Sequence, residues 1–107
     1  MRVKTLNAYE VNRKIKNREF KLIIDLRSEE LYATGHLPGA INIPTNQIND
    51  YLGYIRSITN DNILLYCAVG SQSSATGKVL LINGFKNVFH LKNGIVKYNY
   101  KLQRESK

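Results

Sequence analysis

Residues 62–85 read "NILLYCAVGSQSSATGKVLLINGF". An apolar run ends at Cys67, a small loop with Gly70 follows, and a second apolar stretch stops at Gly84. Strand, short loop and helix in that order predict an α/β fold with a parallel sheet. Segment 62–67 is the most apolar in the chain and is placed at the sheet's centre, buried on both faces. The helix is expected over about 73–83, with Gly84 just past its end.

The same alternation continues on both sides. "RVKTL" (2–6) predicts a short first strand. Asn7, with Glu10 three positions on, predicts a capped helix running to about Lys16. "KLIIDL" (21–26) predicts a buried strand, and Ser28 caps a short helix, "EELYAT", whose leading acids suit its positive end. "AINI" (40–43) predicts a strand stopped by Pro44. Ile48, Tyr51, Leu52, Ile55 and Ile58 recur at helical spacing and form one stripe that covers the sheet. "NVFHL" (87–91) predicts the last strand, and residues 95–104 a last helix. There is no repeat, linker or low-complexity segment, and 107 residues suit one domain, residues 1–107.

Composition narrows the function. Apolar residues make up 43% of the chain, which argues for a folded core over disorder. No apolar run approaches a membrane span, and the N-terminus lacks the long apolar stretch of a secretory signal. One cysteine permits no internal disulfide, which suits a reducing cytoplasm. The net charge of +8 sits at the ends: seven basic and two acidic residues in 1–21, six and one in 86–107, three and five between. Such an excess either solvates the surface or docks an anionic partner, with an acidic protein favoured because no base-stacking motif speaks for nucleic acid.

Cys67 stands where α/β sites gather, at the carboxyl end of the central strand. The first amides of a helix lack internal acceptors. A loop folded around Cys67 aims them at its sulfur and favours the nucleophilic thiolate. Gly70 permits a tight turn. Ala68, Ser71, Ser73 and Ser74 keep the site open. Against this, lone cysteines are commonly buried packing residues, and physics alone leaves both roles open. Two other chemistries are disfavoured. "GSQSSATGKV" has six residues between Gly70 and Gly77 where a P-loop has four, and Val79 replaces its hydroxyl residue. A cysteine phosphatase needs arginine where Ser73 stands, and so lacks its phosphate clamp.

Four segments together resemble the single-domain rhodanese family of sulfurtransferases. "IIDLRSEELYATGHLPGAINIP" (23–44) is similar to its first signature, through Tyr32 and His36-Leu37-Pro38-Gly39-Ala40. "YCAVGSQS" occupies the place of its active-site loop. "GFKNVFHL" (84–91) resembles the entry to its last strand. "NGIVKY" (93–98) resembles its Gly-Gly-Ile-x-x-Trp ending, with Asn93 and Tyr98 substituted. The resemblance implies three α/β/α layers and a parallel five-stranded sheet in the order 1-5-4-2-3, which brings the two basic ends near one another. It further implies Cys67 as the nucleophile that carries a sulfane sulfur as a persulfide, from thiosulfate or a protein persulfide to a thiol or cyanide. Ala68, Val69, Gly70, Ser71, Gln72 and Ser73 form the substrate loop, with no metal or organic cofactor.

The family loop commonly reads C-R-x-G-x-R; here Ala68 and Gln72 occupy the arginine positions. Each lost charge-assisted contact to thiosulfate costs roughly 1.5–3 kcal/mol. A protein-bound persulfide needs no such clamp. A weakly catalytic binding module and a thiol redox sensor remain as rivals. Asp25 and Arg27 are expected to pair locally, and His36 to hydrogen-bond the turn before Pro38 and Gly39. His90 carries no signal, Tyr98 is assigned to packing, and Lys78 to a solvated helix face.

Overall fold

The sheet grows outward from its most apolar strand. In the computed structural model, which describes residues 2–104, Asp61–Tyr66 forms β4, and its last four residues are fully buried. The other strands are β1 (Lys4–Leu6), β2 (Leu22–Asp25), β3 (Ile41–Asn42) and β5 (Lys86–Leu91). All pairs are parallel, in the order β1-β5-β4-β2-β3, as the resemblance implies. On β4, alternation sends Ile63 and Leu65 into one apolar cluster and Leu64 and Tyr66 into another. Both faces of the sheet are therefore covered, which gives three layers.

Four helices supply the covering. Asn7 caps α1 (Ala8–Lys16): its side chain accepts from the Glu10 N–H at 2.8 Å, and Glu10 accepts from the Asn7 N–H at 2.9 Å. Ser28 caps α2 (Glu29–Thr34) by accepting from the Leu31 N–H. The others are α3 (Leu52–Ile58) and α4 (Ser71–Ile82), the latter followed by Gly84 at φ +92°. Val11 of α1 sits in the Leu64–Tyr66 cluster, while Ile55 of α3 and Leu80 of α4 fill the other.

Two expectations need correction. The stripe from Ile48 to Ile58 is not one helix. Thr45–Tyr51 winds as a 3₁₀ helix before α3 begins. Three residues per turn, in place of 3.6, shift the phase. Ile48 and Ile55 are buried, but Tyr51 and Ile58 are 39% and 45% exposed. The helix expected over 95–104 is a single 3₁₀ turn, Ile95–Lys97, followed by irregular chain that bends at Tyr100. That chain crosses to the His36 corner, where His36 and Gln103 exchange two main-chain hydrogen bonds of 2.8 Å. Tyr98 is buried, and Tyr100 and Leu102 pack against the same cluster. No helix among the described residues is long and apolar enough to cross a membrane.

Candidate active site at the Cys67 loop

β4 delivers Cys67 to its carboxyl end, and Gly70, at φ +105°, turns the chain into α4. The sulfur lies against the start of that helix. It accepts the Gly70 N–H at 3.1 Å and the Ser73 N–H at 3.3 Å, with Ser73 Oγ at 3.6 Å. Among the described residues the main-chain donors to sulfur are these two amides. Both point at the atom where negative charge would develop, and so stabilise it. Cys67 is only 1% exposed.

The loop is backed by residues 93–96. Ile95 and Val96 donate their N–H groups to the carbonyls of Cys67 and Ala68, at 3.0 and 3.2 Å. Gly94, at φ +70°, packs its Cα against the Ala68 carbonyl so closely that any Cβ would overlap it. Asn93 takes φ +64°, a left-handed conformation that asparagine tolerates.

Beside the loop lies a cavity of about 300 Å³, bordered by Ser28, Leu31, Pro44, Ala68 and Gln72. Val69 and Leu31 are 61% and 47% exposed. Arg27 also borders the cavity, but its guanidinium is engaged elsewhere. Its Nε and Nη2 donate to the fully buried Asp25 carboxylate, with Nη2 to Oδ2 at 2.8 Å, and Nη2 also donates to the Gly35 carbonyl at 2.6 Å. The Arg27 N–H donates to Asp25 Oδ1 at 2.8 Å. Tyr66 completes the network, donating its O–H to Asp25 Oδ2 at 2.7 Å and accepting the Leu37 N–H at 3.0 Å. Burial, and then the neighbouring carboxylate, push the Tyr66 phenol well above its ordinary range.

His36 is buried away from this chemistry. Its Nδ1 is 2.9 Å from the Tyr32 carbonyl, and its ring stacks on Tyr32 at 3.8 Å. Its ring partner is therefore the end of α2, not the turn just before Pro38. Tyr32 donates its hydroxyl to the Ala40 carbonyl, and the Gly39 N–H donates to Gln103 Oε1 at 2.8 Å. The structure thus gathers Cys67, Ala68, Gly70, Gln72 and Ser73 at the site, and makes Asp25, Arg27, His36 and Gly39 a frame beside it.

Sequence inspection missed His90. Its Nδ1 lies 3.1 Å from Ser73 Oγ and its Nε2 3.1 Å from Thr5 Oγ1. Strand alternation offered a signal: in "NVFHL", His90 shares a face with Val88, so a polar ring points at the core.

A cysteine-bearing loop between the central strand and its following helix, on this sheet order, defines the class of domain. A family model described as a rhodanese-like domain matches residues 7–101, and the chain belongs to that family. It is similar to a rhodanese-like domain protein from Staphylococcus aureus, with a TM-score of 0.83 and 25% identity over 97% of this chain and 100% of that one. A protein from Staphylococcus saprophyticus matches with a TM-score of 0.82 and 26% identity, covering 95% of this chain and 100% of the other. Curated relatives bear the name tRNA uridine(34) hydroxylase. The one from Buchnera aphidicola is 33% identical over 97 residues, 87% of this chain and 31% of its own length. The one from Photorhabdus laumondii is 32% identical over 104 residues, 94% and 29% respectively. The chain spans about three-tenths of these relatives.

Proposed function

We infer that the domain moves a sulfane sulfur through a persulfide on Cys67. The observation that carries this is the sulfur 3.1 and 3.3 Å from two amides at the start of α4. The Cys67 thiolate attacks the outer sulfur of a donor persulfide. A Cys67 S–S bond forms, the donor's S–S bond breaks, and the donor leaves as a thiolate. An acceptor thiolate then attacks the outer sulfur and releases Cys67. The two amides remain available to a negative sulfur in both steps.

The surroundings favour a protein-borne donor over thiosulfate. Ala68 brings no charge to the loop, Gln72 offers a neutral amide, and Arg27 is neutralised by Asp25. Leu31 at the cavity and exposed Val69 on the loop offer apolar contact. A thiol without a disulfide partner suits a reducing compartment such as the cytoplasm. Intact-mass measurement after incubation with a loaded cysteine desulfurase, and separately with thiosulfate, tests the assignment. One added sulfur, absent from Cys67→Ser, is expected with the desulfurase. No adduct from either donor on a folded chain would leave a binding module in its place.

The relatives' names favour a second reading, action on tRNA, and the +8 charge is compatible with it. Retention of tRNA that collapses with added salt and ignores anticodon sequence would mark charge alone. Retention that depends on uridine 34 would support it.

A further inference from the structure

Thr5, His90 and Ser73 form an unbroken line of side chains that ends on the Cys67 sulfur. The links measure 3.1 Å from Thr5 Oγ1 to His90 Nε2, 3.1 Å from His90 Nδ1 to Ser73 Oγ, and 3.6 Å from Ser73 Oγ to Sγ. The residues come from β1, β5, α4 and the loop after β4, brought together by the sheet order. Ser73 is fully buried and His90 is 9% exposed. An apolar side chain would fill the His90 position without desolvating a polar ring. Instead both ring nitrogens meet hydroxyls, one of which touches the cysteine.

We propose that His90 is the proton acceptor for Cys67, reached through Ser73 and held in place by Thr5. This rests on Cys67 acting as the sulfur-accepting nucleophile. Ahead of the attack the Cys67 S–H bond breaks, and its electron pair stays on sulfur as the thiolate that forms the new bond. The proton passes to Ser73 Oγ while the Ser73 hydroxyl proton passes to His90 Nδ1. His90 becomes an imidazolium whose Nε2–H donates to Thr5 Oγ1. The departing thiolate later takes up a proton, and the transfer neither oxidises nor reduces any of the three residues. Ser73 touches the reacting atom; His90 and Thr5 act through it as positioning residues.

The surroundings leave the ring free to accept. Burial alone holds His90 below the ordinary imidazole range, so the ring is neutral at neutral pH and one of its nitrogens carries a free lone pair. On β1, Lys4 reaches Asn87 and the Phe89 ring instead. On α4, Lys78 borders a separate cavity with Arg2 and Ile82. The group from β4's end that faces the ring, through Ser73, is Cys67. One contact competes: the Ser73 hydroxyl also lies 3.1 Å from the Gly70 carbonyl.

The test is the pH dependence of Cys67 alkylation by iodoacetamide in the full chain, which needs no sulfur donor. His90→Asn keeps an acceptor for Ser73 but cannot hold a proton. It should move the midpoint up by about one unit or more and slow the reaction at pH 6.5 about tenfold. Ser73→Ala should do the same. A common midpoint in all three proteins overturns the proposal. A second measurement avoids any change at the chain's core link: the His90 ring is titrated by NMR in the wild type and in Cys67→Ala. Its midpoint should fall when the thiol is lost, and an unchanged midpoint overturns the proposal. A chain that shows both shifts yet forms no persulfide keeps the proton path and loses the sulfur-transfer assignment; persulfide without the shifts does the reverse.

Discussion

At the scale of single residues, the site turns on what replaces charge. Gln72 stands where related loops carry arginine, and it borders the cavity beside the cysteine. Gln72→Arg should raise the rate with thiosulfate by about one to two decades, the worth of one charge-assisted contact. Steady-state thiosulfate-to-cyanide transfer measures it; an equal or lower rate would count against the missing clamp. Gly94 makes the opposite point, because space rather than charge decides. Gly94→Ala meets the Ala68 carbonyl and strains a φ of +70°. A loss of at least about 1–3 kcal/mol is expected in urea unfolding, together with altered alkylation of Cys67. Cys67 and Gly70 were legible in the sequence because strand, loop and helix follow one another directly, and the departures at Ala68 and Gln72 through the resemblance to the family loop. His90 was not. Its partners, Thr5 and Ser73, are distant in sequence, and only the β1–β5–β4 adjacency joins them.

At the scale of elements, the signals that held were local. Asn7 with Glu10, Ser28 before two acids, and Gly84 after α4 each mark an end through a bond made within a few residues. The signals that failed needed long-range packing. Segment 95–104 is expected as a helix, yet Tyr98, Tyr100 and Leu102 recur at every second position, a spacing that no face of an α-helix shares. Their packing against the sheet fixes them, and the Tyr98 and Tyr100 rings also meet edge to face at 5.4 Å. The Asp25–Arg27–Tyr66 network ties β2, β4 and the α2 corner together. Arg27→Ala leaves a fully buried carboxylate without its cation and should cost about 3–5 kcal/mol. Tyr66→Phe removes one O–H donor and one acceptor, and should cost about 1–3 kcal/mol. Chemical denaturation of both variants checks the ranking; equal losses would show that the ion pair carries no special weight.

At the scale of the molecule, charge and topology meet. β1 lies beside β5, so the N-terminal strand and the last strand are neighbours. Arg18 and Lys21 border a second cavity, of about 220 Å³, with Pro38 and Gly39. Gln103 bonds Gly39, so the C-terminal segment that carries Lys101 and Arg104 ends at the same turn. Basic residues from both ends of the chain thus converge there. Replacing Lys97, Lys101 and Arg104 with alanine should weaken binding of a poly-glutamate probe, most at low salt, since charges are screened beyond about 8 Å at 0.15 M. Affinity unchanged by the triple substitution would assign the excess to solvation alone.

The clasp between His36 and Gln103 also bears on how the chain matures. Gly39 and Gln103 are 64 positions apart, and their bond, with the paired main-chain bonds beside it, closes nearly the last described residues onto the first signature. During synthesis the corner that seats Arg27 and Tyr32 stays unlatched until residues 98–104 have left the ribosome. Such distant closure slows acquisition of the native state, and loss of residues 98–104 would leave that corner of a nascent domain open to proteases.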